Sequence, residues 1–213
     1  SVDSPRKLLD ALGQATSERR IMVWSAVPAD QKILEETPLA HVIPEDSGPY
    51  ANVILNNLGG NKMDYYLKRE IEYAADECDR EMRNSTITVK LTNTSDGKQL
   101  PDYVAGALGL APDIQAKLKE LNAPRGTMVT SVRVIATRGA RLLNVTSNGE
   151  RTFASTQVER GHPVFEIQVV IPPGQSGDLV FQLSEPTSPG DPRVPVQPLI
   201  DDISPVVSVP KCS

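Results

Sequence analysis

The feature that most constrains the fold is an alternation of polar and apolar residues that recurs between residues 49 and 185. In the predicted strand 64–74, one face carries Tyr65, Leu67, Arg69, Ile71 and Tyr73, and the other carries Tyr66, Lys68, Glu70 and Glu72. A period of two is typical of a strand with one buried and one solvated face. Further strands are predicted at 50–55, 84–94, 128–137, 140–145, 151–158, 164–171 and 178–183. About eight strands with turn signals between them predict a mainly β protein, an immunoglobulin-like β-sandwich spanning residues 49–185.

The stretch 100–124 breaks this alternation. Its prolines and glycines are followed by DIQAKLKELN, which predicts a short helix. An insertion of this length inside a β-domain is often functional, and the alternative is a cap over an open end of the sheet.

Residues 1–48 predict a small α/β segment. Pro5, preceded by a serine, marks the start of a helix, and Pro28 opens a second one. Between them the apolar run 21–26 predicts a buried strand that contains the single tryptophan, Trp24. The segment is either the end of an upstream domain or a cap over the sandwich.

The tail 186–213 is rich in proline, which predicts an extended segment with little regular structure. It contains Cys212, and the only other cysteine is Cys78. The two are either free thiols or one disulfide that ties the tail to the sheet. A disulfide would require an oxidising, extracytoplasmic setting.

Composition argues against several classes of function. The net charge of −5 argues against nucleic acid as a partner and against contact with an anionic membrane surface. Aromatic residues make up 4% of the chain, which argues against a platform for stacking bases or sugars. The sequence contains no apolar run of about twenty residues and opens without a methionine, so we expect a fragment whose targeting segment is missing.

The stretch 56–73 contains the strongest candidate site. Gly59, Gly60 and Asn61 predict a turn, followed by Lys62 and Asp64. Such a turn can form a nest of backbone N–H groups that binds an anion. The alternative is a tight turn in which the lysine and the aspartate pair or cap backbone groups.

Other polar residues give weaker signals. The two histidines, His41 and His162, lie near prolines and are predicted to be surface turn residues. Two acidic groups could bind calcium, but a solvated turn is the simpler interpretation of each; they are Asp76, Glu77, Asp79 and Glu81, and Asp201 with Asp202. Three triplets match glycan acceptors or reflect strand composition, at Asn84, Asn93 and Asn144. No catalytic residue, metal site or cofactor is predicted.

The string NNLGGNKMDYYLKREIEY, with ERRIMVWSAVPADQ before it and HPVFEIQVVIPPGQS after it, resembles domain-of-unknown-function family 4012, found largely in actinobacteria. The resemblance implies an N-terminal transmembrane helix and a large extracytoplasmic region, of which this chain would be the C-terminal part. The family supplies no activity. The candidate binding residues are Asn56, Asn57, Gly60, Lys62, Asp64 and Tyr66.

From these observations we expect a non-enzymatic extracytoplasmic domain of a bacterial cell-envelope protein, with an interaction or structural role. The expected partners are envelope proteins or polymers. The alternative is part of an envelope enzyme, or a protein that binds a glycan or phosphate ligand, whose active residues lie mostly upstream.

Overall fold

The computed structural model describes residues 4–78, 80–97, 99–106 and 109–212. Asp79, one of the candidate calcium ligands, and residues 107–108 of the insertion lie outside this description. The described residues form ten strands: β1 Ala51–Asn57, β2 Leu67–Ala75, β3 Met82–Asn93, β4 Met128–Ala136, β5 Arg141–Ser147, β6 Glu150–Arg151, β7 Ser155–Glu159, β8 His162–Ile171, β9 Ser176–Pro186 and β10 Val206–Ser208.

The strands form two sheets that pack face to face. One sheet has the order β1-β4-β8-β7, and the other has the order β10-β2-β3-β9-β5-β6. Their inner faces share one apolar core, to which Val53, Val132 and Phe165 contribute from the first sheet and Ile87 and Phe181 from the second. Burial of such a side chain stabilises the fold by about 1.5–3 kcal/mol. The prediction of a mainly β sandwich is confirmed.

Strand β2 shows the predicted alternation, but it begins later than expected. Leu67, Arg69, Ile71 and Tyr73 are buried, and the residues between them are exposed. The three residues before it, at 64–66, belong to a short 3₁₀ helix, Met63–Tyr66, instead of the strand. The predicted strand start was therefore wrong.

The predicted strand 151–158 is divided between the two sheets. Asn148 and Gly149 have φ angles of 52° and 81°, as a two-residue hairpin turn requires, and they join β5 to β6 as predicted. The chain then crosses to the other sheet, where β7 pairs with β8. The turn at Arg138 and Gly139 likewise connects β4 and β5 in different sheets.

The insertion between β3 and β4 is helical, as predicted. It contains α3, Asp102–Ala105, and α4, Pro112–Glu120. Beside it, the buried amide of Asn93 donates to the backbone oxygens of Gly126 at 2.8 Å and of Ile171 at 2.9 Å. This Asn93 side chain is enclosed by protein, so its triplet is not a glycan acceptor in the folded domain.

The N-terminal segment contains two helices, α1 Pro5–Ser17 and α2 Pro28–Glu35, and a 3₁₀ turn, Pro38–Ala40. The strand predicted at 21–26 was wrong, because this run has no partner strand and Trp24 is 75% exposed. Neither α1 nor α2 has a buried residue, and neither contributes a residue to the apolar core. No helix in the described part of the chain is long and apolar enough to span a membrane.

The proline-rich tail is mostly extended, as predicted, and it lies along one edge of each sheet. β10 pairs in parallel with β2, and single bridges join Val196 to Val53 and Arg193 to Tyr50. The side chain of Gln197 adds two hydrogen bonds, because it accepts from the N–H of Leu55 at 2.8 Å and donates to its carbonyl at 3.0 Å. The tail thus covers backbone groups that an edge strand would otherwise expose.

Candidate functional site

The turn between β1 and β2 is held together by the side chain of Asn57. Its amide nitrogen donates to the side-chain oxygen of Asn61 at 3.0 Å and to Asp64 Oδ2 at 3.2 Å. Its oxygen accepts from the N–H of Gly59 at 2.9 Å. Gly60 has a φ of 59°, a left-handed conformation that glycine adopts without a steric penalty.

The helical insertion packs directly against this turn. Three hydrogen bonds connect them: Lys62 N–H to Val104 O at 3.1 Å, Asn61 Nδ2 to Gly106 O at 2.8 Å, and Gly109 N–H to Gly59 O at 3.1 Å. A Cβ atom on Gly109 would lie 2.8 Å from the Cα of Gly60, so the two backbones touch. The turn and the described part of the insertion are therefore packed together as one hydrogen-bonded unit.

This packing uses several of the backbone donors of the turn. The N–H groups of Gly59, Lys62 and Met63 have acceptors within the protein, so these three donors are not available to an anion. Asp64 accepts from Asn57 and, among the described residues, forms no ion pair with Lys62. The arrangement is a tight turn.

A surface cleft of about 360 Å³ opens beside this unit, and we call it the tyrosine cleft. It is lined by Lys62, Tyr65, Tyr66, Tyr103 and Val104. Tyr65 is 67% exposed and Tyr103 is 71% exposed, whereas Tyr66 is half-buried. Three of the nine aromatic residues in the chain therefore surround one lysine.

A second cleft of about 350 Å³, the insertion cleft, lies between the turn and α4. Its lining includes Asn61, Gln115, Lys119 and Arg125. Arg125 also pairs with Asp102 at 2.7 Å and donates to the carbonyl of Leu100.

The charged residues that line the two clefts are all basic. Lys62 lines the tyrosine cleft, and Lys119 and Arg125 line the insertion cleft, while no acidic residue among those described lines either one. This is notable in a chain whose net charge is −5. The tyrosine cleft thus combines one lysine with two exposed tyrosines, and the insertion cleft adds Lys119, since Arg125 already pairs with Asp102.

The predicted binding residues take two different roles. Lys62 and Tyr66 line the tyrosine cleft. Asn57, Gly60 and Asp64 build the turn behind it. Asn56 is an exposed residue of β1 and lines neither cleft.

Tyr103 was not among the predicted residues. It lies near the start of α3, and its neighbour Val104 accepts the hydrogen bond from the N–H of Lys62. The only feature of the sequence that pointed to Tyr103 is its position in an insertion that interrupts the β pattern.

The histidine prediction was wrong for His162, which is fully buried at the start of β8. Its two ring nitrogens lie 2.7 Å from the carbonyl oxygen of Ala136 and 2.8 Å from that of Pro44. His162 therefore ties the loop before β1 to the sandwich. His41 is half-buried, and its ring nitrogen lies 3.1 Å from the carbonyl oxygen of Ile21.

The prediction for Asp201 was also wrong. Instead of lying in a solvated turn, its carboxylate accepts from Arg69 Nη2 at 2.6 Å, from Arg69 Nε at 2.9 Å and from the backbone N–H of Arg69 at 3.1 Å. Arg69 is buried on the inner face of β2, so this pair fixes the tail to the sheet. In the other acidic group, Asp76 accepts from the side chain of Asn84 at 3.0 Å. No cluster of metal-ligating side chains occurs within the ranges given above.

A buried polar network lies inside the sandwich around Glu185. One carboxylate oxygen accepts from Tyr73 at 2.6 Å, Ser85 at 2.9 Å and Thr137 at 3.0 Å, and the other accepts from Arg83 at 3.0 Å. Burial raises the pKa of the Tyr73 hydroxyl far above its ordinary value, and the charge of Glu185 raises it further. The network is enclosed by the two sheets, so its role is structural.

The Cys78–Cys212 disulfide is confirmed. Its Cα atoms lie 5.7 Å apart, and Arg83 Nη1 lies 3.4 Å from the sulfur of Cys212. A disulfide is expected in a non-reducing compartment, which indicates an extracytoplasmic environment for this chain.

No family model matches the sequence, and no curated protein matches it. Among solved structures, a candidate nutrient-binding protein from Legionella pneumophila aligns with a TM-score of 0.36 and 8% identity. The alignment covers 65% of this chain and 43% of that protein, so this chain spans less than half of its length. At this TM-score the likeness supports neither a shared fold nor a shared ligand.

Proposed function

We infer that this chain is a non-enzymatic extracytoplasmic domain of a bacterial cell-envelope protein, and that it binds another envelope component through the tyrosine cleft. The disulfide supports an extracytoplasmic location. The resemblance of residues 56–66 to domain-of-unknown-function family 4012 supports the envelope and a membrane-anchored parent protein.

The observation that carries this proposal is the exposure of Tyr65 and Tyr103 on two elements that are joined by a backbone hydrogen bond. The N–H of Lys62 bonds to the carbonyl of Val104, which fixes the 3₁₀ helix and α3 relative to each other. Tyrosine offers a large apolar ring with a polar end and is enriched in binding surfaces. Because the backbones that carry the two rings are already held together, only the side chains have to be ordered when a partner binds.

The test is the binding of the purified domain to isolated bacterial envelope material, measured by co-sedimentation. Tyr65→Ala and Tyr103→Ala should each weaken binding by roughly tenfold or more, as expected for central aromatic contacts. Phe153→Ala is the matched control, because Phe153 is 91% exposed and lies outside both clefts. Binding by both tyrosine variants at the wild-type level would refute the proposal.

A second candidate is a glycan- or phosphate-binding role, alone or within an envelope enzyme whose active residues lie upstream. It is favoured by Lys62, which lines the cleft and, within the described part of the chain, has no carboxylate partner. Lys62→Ala should leave the melting temperature unchanged and remove binding. Asp64→Ala should lower the melting temperature, because the hydrogen bond from Asn57 is lost. If Lys62→Ala lowers only the melting temperature, this candidate fails.

A further inference from the structure

We propose that the tyrosine cleft binds an anionic saccharide, a short glycan segment that bears carboxylate or phosphate groups. This inference rests on the proposed binding role and names the class of ligand. It also revises the expectation from composition, because scarce aromatic residues can form a stacking surface when three of them converge.

The arrangement of the tyrosines suits a sugar. A sugar ring has an apolar face of C–H groups and a rim of hydroxyls, and an exposed tyrosine has a flat ring and a hydroxyl that donates and accepts. Tyr65 and Tyr103 line the cleft from two different elements, the 3₁₀ helix and α3, and the half-buried Tyr66 lies with them in the cleft. An apolar surface with a few polar groups is the usual composition of a small-molecule site.

The charge of the region selects an anion over a neutral sugar. Lys62 is exposed, lines the cleft and has no carboxylate partner among the described residues. The neighbouring insertion cleft adds Lys119, whereas its Arg125 already pairs with Asp102. In contrast, two other clefts are lined by acidic as well as basic residues, such as Asp76 and Arg83 in one and Asp202 and Arg20 in the other. A lysine ammonium binds carboxylate or phosphate as a point charge.

The backbone that carries Tyr66 is held by hydrogen bonds within the protein. The carbonyl oxygen of Tyr66 accepts from the backbone N–H and the hydroxyl of Thr94, both at 2.8 Å. The volume of about 360 Å³ is near the lower end of the range for small-molecule sites, about 300–1,000 Å³, so the cleft accommodates a short segment and not a long groove-bound chain.

The experiment compares three glucan oligomers of equal length by isothermal titration calorimetry. The first is neutral maltohexaose, the second carries carboxylates at its 6-positions, and the third carries 6-phosphates. We expect both charged oligomers to bind at least roughly fivefold more tightly than the neutral one at low salt, and to weaken as salt is added. A preference between them distinguishes a uronate from a phosphorylated glycan as the source of the charge.

Variants assign the binding to the cleft. Tyr103→Ala should reduce the affinity for the charged oligomers by roughly tenfold, and Phe153→Ala should leave it unchanged. Lys62→Gln should remove the preference for the charged oligomers while retaining weak binding of the neutral one. The proposal is overturned if the three oligomers bind equally, if none binds, or if the preference survives Lys62→Gln.

The two proposals can fail separately. If envelope material binds in a Tyr103-dependent manner but none of the three oligomers does, the interaction role stands and the saccharide class is wrong. If neither envelope material nor oligomers bind, both proposals fail.

Discussion

Arg83 and Glu185 form an ion pair in the interior of the sandwich, with Arg83 Nε 3.0 Å from Glu185 Oε1 and both side chains almost completely buried. The other oxygen of Glu185 accepts three hydroxyl donors, so the charge is fully coordinated. Arg83 extends the network to the tail, because its Nη1 donates to the carbonyl of Pro210 at 3.0 Å. The core and the disulfide-linked tail are therefore connected through one guanidinium group.

The first prediction concerns the loss of one member of this pair. Glu185→Gln leaves the Arg83 charge buried without its counter-ion, which should lower the free energy of unfolding by about 3–5 kcal/mol. Urea denaturation measures the effect. Glu70→Gln, which removes an exposed partner of Lys90, is the control and should cost less than about 1 kcal/mol. Equal effects of the two substitutions would contradict a buried network.

The second prediction concerns alkaline pH. Because the folded state raises the pKa of Tyr73 above its ordinary value of 10.0, the unfolded chain loses this proton first. The contribution of the protonated Tyr73 hydroxyl to the free energy of unfolding is fully present below pH 10.0 and declines as the pH rises above this value. Tyr73→Phe should be less stable at neutral pH by about 1–3 kcal/mol, since Glu185 loses a donor, but its stability should fall less steeply in alkali.

Denaturation curves between neutral and alkaline pH test this difference in slope. Tyr65→Phe, at an exposed tyrosine, is the control for the substitution itself. Parallel curves for the wild type and Tyr73→Phe would show that Tyr73 does not remain protonated in the folded state. Tyr50, whose pKa is also raised by burial, should leave some alkaline dependence in the variant.

The third prediction concerns the disulfide, which joins residues 134 positions apart. Replacing both cysteines, Cys78→Ser with Cys212→Ser, should lower the free energy of unfolding by about 4–5 kcal/mol on the chain-entropy estimate. Reduction of the wild type should produce a similar change, with no further effect on the double variant. Titration of denatured, unreduced protein should find almost no free thiol, and two reactive thiols per chain would contradict the bridge.

The β-sandwich could be predicted because strand periodicity is a local property. Residues 67–73 alternate strictly, and burial follows that alternation. The same signal was misleading at Tyr65 and Tyr66, which continue the pattern in the sequence but lie in a 3₁₀ helix. There the side-chain oxygen of Asn61 accepts a hydrogen bond from the N–H of Met63. Such a local bond competes with strand pairing, and the alternation of polar and apolar residues does not reveal it.

Long-range partners were less predictable. Arg69 occupies the buried face of a predicted strand, which signals that an acid must pair with it, but nothing local identifies Asp201 as that acid. His162 lies between a glycine and a proline and resembles a turn residue, yet it begins β8 and is covered by the loop that contains Pro44. For the same reason only part of the site could be predicted. Lys62 and Tyr66 lie close together in the sequence, whereas Tyr103 joins them only through tertiary packing.

The fourth prediction concerns the attachment of the tail. Asp201→Asn removes the charge that pairs with Arg69 and should lower stability by about 3 kcal/mol or more, because Arg69 remains buried. Hydrogen exchange should become faster at Val206–Ser208 and at β2, where the tail pairs with the sheet. Asp202→Asn is the adjacent control. Unchanged exchange in β2 would show that the tail is held without this ion pair.

The fifth prediction tests the corrected N-terminal segment through its single tryptophan. Trp24 is 75% exposed and lies outside any strand, so its fluorescence should resemble that of free tryptophan in water and should be quenched readily by iodide. Unfolding in urea should change the emission maximum very little, whereas circular dichroism reports the loss of the sheets. A blue-shifted emission that iodide cannot quench would instead place Trp24 in a buried strand or under a partner. Measurement over a range of protein concentrations distinguishes burial within one chain from burial by self-association, because only the second depends on concentration.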